Sequence, residues 1–141
     1  MIFIKYDNRT GEILSVLNVT RLEDALAAVR SGREELLLAP ADLPDPATHY
    51  VADGVVATRP DAPLLEAEEL MVIVGERVDL ARNLPDGTAC MFAGGPGAPE
   101  ALVGGGVAAA MPTRPGAWTA EIVPPWPQRV ARCRIVVTAG A

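Results

Sequence analysis

The chain has 141 residues, a net charge of −6, an apolar fraction of 50% and only 4% aromatic residues. That length allows one ordinary domain or two small ones, and the apolar share is sufficient for a packed core, which argues against a disordered chain. An acidic chain with no basic stripe is a poor candidate for nucleic-acid binding, because contacts to phosphates need clustered cations.

Residues 2–6, IFIKY, are rich in β-branched and aromatic side chains and predict a strand. The segment DNRTG that follows predicts a turn, and residues 12–19 return as a second strand, so the two strands are expected to form a hairpin. A third strand is predicted at residues 34–40, EELLLAP, where Pro40 ends it.

Between the second and third strands, residues 20–32 predict a helix of about ten residues. Thr20 and Glu23 have the T-x-x-E spacing of a capping box, and Gly32 stands where a C-terminal cap is expected. The apolar residues that recur at the i, i+4 and i+7 spacing are Leu22, Leu26 and Val29. Because so short a helix is not stable alone, we expect this apolar face to pack on the hairpin.

The segment HYVADGVVATRP, residues 49–60, predicts two short strands and a proline stop. The strands pair across Asp53–Gly54, a dipeptide favoured for a type I′ turn. We interpret this hairpin as the last part of a small N-terminal β-α-β module that covers residues 1–64. The prolines of RPDAP, residues 59–63, stiffen the chain and mark the boundary to a second domain.

From residue 65 to residue 141 the sequence predicts about seven short strands with turns every 8–12 residues, which is typical of an immunoglobulin-like β-sandwich. The alternation of apolar and polar residues is clearest in the last two strands, residues 117–123 and 129–139. The residues expected to share the inward faces are Trp118, Ala120, Ile122, Ala131, Cys133, Ile135 and Val137. Arg132 and Arg134 are expected on the outward face of the last strand. The predicted fold class of the chain is therefore mostly β.

No motif in the sequence indicates catalysis, a metal site or a cofactor. The glycine-rich segments at residues 94–97 and 104–106 neither precede Lys–Ser/Thr nor open a helix, as a phosphate-binding loop requires. His49 is the only histidine. The acids that lie in proline-rich loops, without the spacing of a calcium loop or an opposed catalytic pair, are Asp42, Asp45, Asp53 and Asp61. We therefore expect a non-enzymatic protein that has no cofactor.

The N-terminal segment has neither a long apolar stretch nor a cleavage site, and no run of about 18 apolar residues follows, so we expect synthesis in the cytosol and no membrane insertion. In a reducing compartment Cys90 and Cys133 are expected to be buried thiols within the β domain. Trp126 stands between prolines in VPPWPQ, residues 123–128. Its ring either folds over the end of the sandwich or contacts a partner, because tryptophan is enriched in interface hot spots.

Several segments together resemble proteins of tailed bacteriophages that are encoded near the tail-fibre genes. Residues 49–63 follow the order aromatic–Val–x–Asp–Gly–(four residues)–Arg–Pro–x–x–Pro. Residues 6–12 match a Tyr-Asp-x-x-Thr-Gly-Glu turn, and residues 84–88 match a Leu-Pro-x-Gly-Thr turn. Residues 116–130, GAWTAEIVPPWPQRV, resemble the end of the immunoglobulin-type domains in such proteins.

The resemblance implies a virion structural protein, an adaptor or accessory subunit of the tail or tail fibres in the host-attachment apparatus. It would be made in the host cytoplasm and assembled in several copies with other virion proteins, with the N-terminal module docking on a neighbour. A tail-fibre assembly chaperone and a capsid decoration protein are the alternatives. The long helical C-terminal segment of the chaperones is replaced here by a β-rich domain, which favours the structural role.

Overall fold

The computed structural model describes residues 1–95 and 97–140. In these residues the protein is mostly β, with twelve strands and one short helix. The chain divides into two compact units, the first covering Met1–Pro60 and the second beginning at Asp61. The division therefore follows Pro60, whereas the sequence placed the boundary near residue 64.

The first unit contains a three-stranded antiparallel sheet in the order β2-β1-β3 and a separate two-stranded hairpin, β4-β5. The predicted pairing of the first two strands is thus confirmed. The elements are β1 (Ile2–Asp7), β2 (Ile13–Asn18), α1 (Leu22–Ala27), β3 (Glu34–Leu38), β4 (His49–Ala52) and β5 (Val55–Thr58).

The main hydrophobic cluster of the first unit lies on one face of this sheet. Ile4 and Tyr6 alternate along β1 and form a buried cluster with Ile13 of β2 and Val51 of β4. The side chains of a strand point alternately to its two faces, so this period of two places all the β1 members on the same side. The hairpin β4-β5 therefore contributes to the core of the first unit through Val51.

The helix differs from its prediction at both ends. It has six residues, its N-cap is Arg21 without a side-chain capping bond, and its C-cap is Ala28. Because Leu22 is the first helical residue, Glu23 comes one position too early for a capping box with Thr20. The expected apolar face is also wrong: the predicted Leu22 and Leu26 are 48% and 57% exposed.

The physical reason for this difference is length. A stripe at i, i+4 and i+7 needs two full turns, and α1 ends before Val29 is reached. The helical residue that is fully buried is Ala25, which the stripe did not include. Gly32 has a φ of 81° but lies in the turn before β3 rather than at the end of the helix.

The turn of the second hairpin is the one that the sequence predicted. Asp53 and Gly54 have φ values of 51° and 75°. Positive φ at both central residues defines the type I′ turn, whose twist matches that of the flanking strands. The register pairs Ala52 with Val55 and His49 with Thr58, which confirms the predicted hairpin.

The second unit contains two sheets, one in the order β7-β10-β9 and the other in the order β6-β12-β11-β8. All pairs are antiparallel except β6 and β12, which are parallel. The strands are β6 (Glu69–Ile73), β7 (Val78–Ala81), β8 (Ala89–Ala93), β9 (Glu100–Gly104), β10 (Val107–Met111), β11 (Gly116–Val123) and β12 (Ala131–Thr138).

Most of the buried residues of these two sheets belong to one hydrophobic cluster. The alternation predicted for the last two strands is confirmed. The predicted inward residues Trp118, Ala120, Ile122, Ala131, Cys133, Ile135 and Val137 are all buried, and Arg132 and Arg134 are exposed. The other sheet contributes Ala108 and Ala110 of β10 and Leu80 and Ala81 of β7, all of them completely buried.

Trp118 is the largest side chain in this core, at 2% exposure. Its indole Nε1 donates a hydrogen bond of 2.7 Å to the carbonyl oxygen of Gly97 in the loop after β8. A Cβ at Gly95 would overlap the same indole, so a side chain there would displace the ring. The glycine-rich loop at 94–97 therefore packs on Trp118 through its described residues, while Pro96 lies outside them.

Candidate functional site

Trp126 lies in the connection between β11 and β12, and 37% of its surface is exposed. The peptide bond from Trp126 to Pro127 is cis. Pro124 at the start of the connection is buried. Gln128 anchors the other side, because its side-chain amide donates a 3.1 Å hydrogen bond to the carbonyl oxygen of Asp61. Trp126 therefore lies on an anchored loop with a little more than a third of its surface exposed.

The two cysteines lie on strands that flank β11. Cys90 of β8 is opposite Ile122, and Cys133 of β12 is opposite Ala120. Two strand spacings, about 9–10 Å, therefore separate their backbones, beyond the reach of about 7 Å that a disulfide allows. Burial, followed by the nearby Cys133, raises the pKa of Cys90 to about 11. Both cysteines are free thiols; Cys133 is buried, as expected, whereas Cys90 is only half-buried.

Asp45, Asp53 and His49 have local structural roles in the first unit. Asp45 Oδ1 accepts a hydrogen bond from the N–H of Ala47 at 2.9 Å, and Asp53 is a turn residue. His49 Nδ1 lies 2.8 Å from the Thr48 hydroxyl, and His49 and Cys90 belong to different units. Within residues 1–95 and 97–140 there is no group of three potential metal ligands and no helix long and apolar enough to cross a membrane.

A cleft of about 370 Å³ lies in the first unit, where three segments far apart in sequence meet. They are the turn between β1 and β2, the start of β3, and the hairpin β4-β5. Both tyrosines of the chain, Tyr6 and Tyr50, line the cleft together with the carboxylates of Glu35 and Asp53. Its volume falls within the range of ligand pockets. No pattern in the sequence indicated that these four side chains would meet.

A close backbone contact holds the wall of this tyrosine-lined cleft. The N–H of Val51 donates to the carbonyl of Gly11 at 2.8 Å. A Cβ at Gly11 would overlap the carbonyl oxygen of Val51, and φ at this residue is 79°, so glycine is needed on both counts. Asp7 Oδ1 closes the turn by accepting from the N–H groups of Arg9 and Thr10 at 2.8 and 3.3 Å. The first of these bonds holds the pKa of Asp7 below its usual range.

The charges around the cleft are predominantly negative. The hydroxyl of Tyr6 donates to Glu35 Oε2 at 2.8 Å. Burial, followed by this hydrogen bond, raises the pKa of Tyr6, so the phenol is a neutral donor near pH 7. The guanidinium of Arg9 also lines the cleft and lies 3.7 Å from Asp7. In the described part of the chain, Glu35 and Asp53 form no ion pair.

Arg59 is a buried cation whose structural role was not predicted from the sequence. It is 9% exposed, and its Nη1 donates to the carbonyls of Pro46 and Ala47 at 3.3 and 3.1 Å. Its backbone N–H also donates to the carbonyl of Thr48 at 2.8 Å. Arg59 thus ties the end of β5 to the proline-rich segment before β4. Its place in the Arg–Pro–x–x–Pro order was the one signal that could have indicated this role.

The geometry therefore offers two candidate surfaces, the Trp126 loop in the second unit and the tyrosine-lined cleft in the first. In comparisons with known proteins, no family model and no curated protein matched the chain.

Proposed function

We propose that this chain is a non-enzymatic structural protein of a bacteriophage virion, an adaptor or accessory subunit of the tail or its fibres. The observation that carries the proposal is the role of the motif residues that resemble the phage proteins. Gly11 of the Tyr-Asp-x-x-Thr-Gly-Glu turn contacts β4, and Arg59 of the Arg–Pro–x–x–Pro order ties β5 to the preceding segment. The resemblance therefore includes residues that hold the first unit together, which is what a shared docking module requires.

In this proposal the first unit is the β-α-β docking module. Helix α1 connects β2 to β3, which lie on either side of β1. The module combines a cleft lined by polar side chains with a hydrophobic cluster to which the β4-β5 hairpin contributes Val51. Modest stability of such a unit suffices in an assembly, because binding to neighbours stabilises the folded state by mass action.

The second unit is proposed to be an immunoglobulin-like β-sandwich. If β6 to β12 are named A to G in chain order, the two sheets become B-E-D and A-G-F-C, close to the B-E-D and C-F-G arrangement of that fold. An isolated antiparallel bridge between Leu65 and Ala81 adds the contact of the A segment with strand B. One hydrophobic cluster shared by both sheets is what a sandwich needs.

The proposed function is tested by measuring the protein composition of purified particles of a phage whose genome encodes this chain. Quantitative mass spectrometry is expected to find it at a fixed copy number relative to the known tail proteins, in tails separated from heads. Its absence from particles, with co-purification of unassembled fibres, would support the chaperone alternative. Its presence on heads would support a decoration protein and would contradict the tail assignment.

A complementation assay then tests whether the Trp126 loop contacts a partner. Trp126→Ala removes the exposed indole, and Met71→Ala is the matched control, since Met71 is an apolar residue of the same unit with 69% exposure. If the loop contacts a partner, incorporation per particle falls for Trp126→Ala and stays at the wild-type level for the control. Equal incorporation of both variants, each with an unchanged melting temperature, would exclude the Trp126 loop as the contact.

A further inference from the structure

The tyrosine-lined cleft has a chemical character that the adaptor proposal does not use. Its walls combine two phenol rings, from Tyr6 and Tyr50, with two carboxylates, from Glu35 and Asp53. The cleft is concave and is held by backbone contacts rather than by flexible side chains alone, because β4 is fixed to the neighbouring turn by the bond from Val51 to Gly11. A surface of this kind is prepared for a ligand before the ligand arrives.

The two carboxylates are the charged groups of the cleft with which a ligand would interact. Glu35 accepts one hydrogen bond, from the neutral hydroxyl of Tyr6, and a carboxylate has room for about four. Two nearby cations have other acidic partners: Lys5 lies 3.5 Å from Glu34, and Arg9, which also lines the cleft, lies 3.7 Å from Asp7. The lining therefore has two carboxylates against one guanidinium, and neither Glu35 nor Asp53 forms an ion pair within the described residues of the first unit.

We propose that this cleft binds a guanidinium group, the side chain of an arginine presented by a partner polypeptide. A guanidinium is planar, weakly hydrated and always charged, so it can stack on a tyrosine ring and donate hydrogen bonds to a carboxylate at the same time. An ammonium ion is more strongly hydrated and offers no planar surface. A neutral sugar could use the rings and the carboxylates, but it would leave the excess negative charge unbalanced. The inference rests on the cleft alone and holds whether or not the protein belongs to a virion.

Tyrosine signals report directly on this cleft, because Tyr6 and Tyr50 are the only tyrosines of the chain. The full chain is labelled with ¹³C-tyrosine and titrated in low-salt buffer with N-acetyl-arginine methylamide. We expect saturable shifts of the tyrosine ring signals with a dissociation constant in the millimolar range, weakened by added salt. The neutral isostere N-acetyl-citrulline methylamide is expected to shift neither ring, and the lysine analogue to bind more weakly than the arginine one.

The carboxylates are tested with the double variant Glu35→Gln and Asp53→Asn. Glutamine can still accept from Tyr6, and asparagine tolerates the positive φ of residue 53, so both changes remove charge while they keep the fold. We expect the dissociation constant to rise roughly ten-fold for each lost charge-assisted bond. The matched control, Glu23→Gln with Asp42→Asn, makes the same change in net charge at exposed positions outside the cleft and should leave binding unchanged.

Several results would overturn the proposal. They are an absence of shifts at about 50 mM arginine analogue, a citrulline analogue or a methyl glucoside that binds as well, and a control variant that weakens binding as much as the cleft variant. If the double variant does not fold, which its amide spectrum will show, Asp53→Asn alone serves, with Asp42→Asn as its control. Unchanged binding by a folded Asp53→Asn protein would remove Asp53 from the site and would contradict the assignment made here.

Discussion

The close approach of Gly11 to Val51 can be separated experimentally from the general cost of a left-handed residue. Gly11 and Gly54 have nearly the same φ, 79° and 75°. A Cβ at Gly54 would meet nothing within 4 Å, whereas one at Gly11 would overlap the carbonyl oxygen of Val51. Gly54→Ala is therefore a control for Gly11→Ala in which the backbone conformation is matched and the steric clash is absent.

The two variants should differ clearly in the stability of the first unit. Gly54→Ala costs about 1 kcal/mol, the penalty of a left-handed conformation for a residue with a side chain. Gly11→Ala carries the same penalty. In addition, relief of the clash breaks the bond from Val51 N–H to Gly11, worth about 1 kcal/mol, and exposes part of Val51, worth about 1–2 kcal/mol. The total for Gly11→Ala is about 3–4 kcal/mol.

Hydrogen exchange of the full chain, followed by NMR, measures this difference. Amides of Ile4 and Tyr6 in the central strand should exchange about 30–100-fold faster in Gly11→Ala than in Gly54→Ala, while amides of Ile135 in the second unit keep their wild-type rates. Equal acceleration by the two substitutions would show that the close approach to β4 contributes nothing, and it would refute the account of how the cleft wall is held.

Three further predictions concern the two cysteines, Asp7 and Arg59. Cys90 and Cys133 should resist alkylation at pH 8 until the protein is denatured and then take two labels, because a pKa of about 11 in place of 9.0 lowers the thiolate fraction of Cys90 by ~100-fold; rapid labelling of the native protein would contradict this. Asp7→Asn should cost stability at neutral pH but little in acid: the folded pKa is depressed, so the contribution is present above the ordinary value of 3.8 and is lost as the pH falls below it. Melting curves from pH 2.5 to 7 should therefore converge for the two proteins, and a constant gap would be inconsistent with the linkage. Arg59→Met should destabilise the first unit by about 2–3 kcal/mol in chemical unfolding because two carbonyls lose a charged donor, and Arg59→Lys should fall between; a neutral effect of Met would show that these bonds are dispensable.

Features governed by neighbours in sequence were predictable. The Asp53–Gly54 turn is one, because the two residues that adopt positive φ are themselves the signal. The inward faces of β11 and β12 are another, because the period of two depends only on the geometry of an extended strand. The division of the chain was placed near residue 64 rather than after Pro60 because composition marks a stiff segment without showing which of its residues join each unit.

Features governed by packing were decided by the tertiary structure. The limits of α1 depend on where the chain must turn towards β3, so a capping pattern at Thr20 and an apolar stripe ending at Val29 could not set them. The two tryptophans, Trp118 and Trp126, have equal intrinsic hydrophobicity, yet one is 2% and the other 37% exposed. Trp118 is buried because its position in β11 faces the core, whereas Trp126 is partly exposed because it lies in a loop between prolines.

The tyrosine-lined cleft shows most clearly the difference between features set by local sequence and features set by tertiary packing. The sequence by itself determined the hairpin strands and the type I′ turn, because those depend on local backbone preferences. It contained no sign that Tyr6, Glu35 and Asp53 would meet, because their separation along the chain is bridged only when β1 pairs with β3 and the β4-β5 hairpin packs over the sheet. Long-range pairing is selected by the burial of a shared core rather than by any short segment, and that is why only the tertiary structure decided where the charged and aromatic side chains come together.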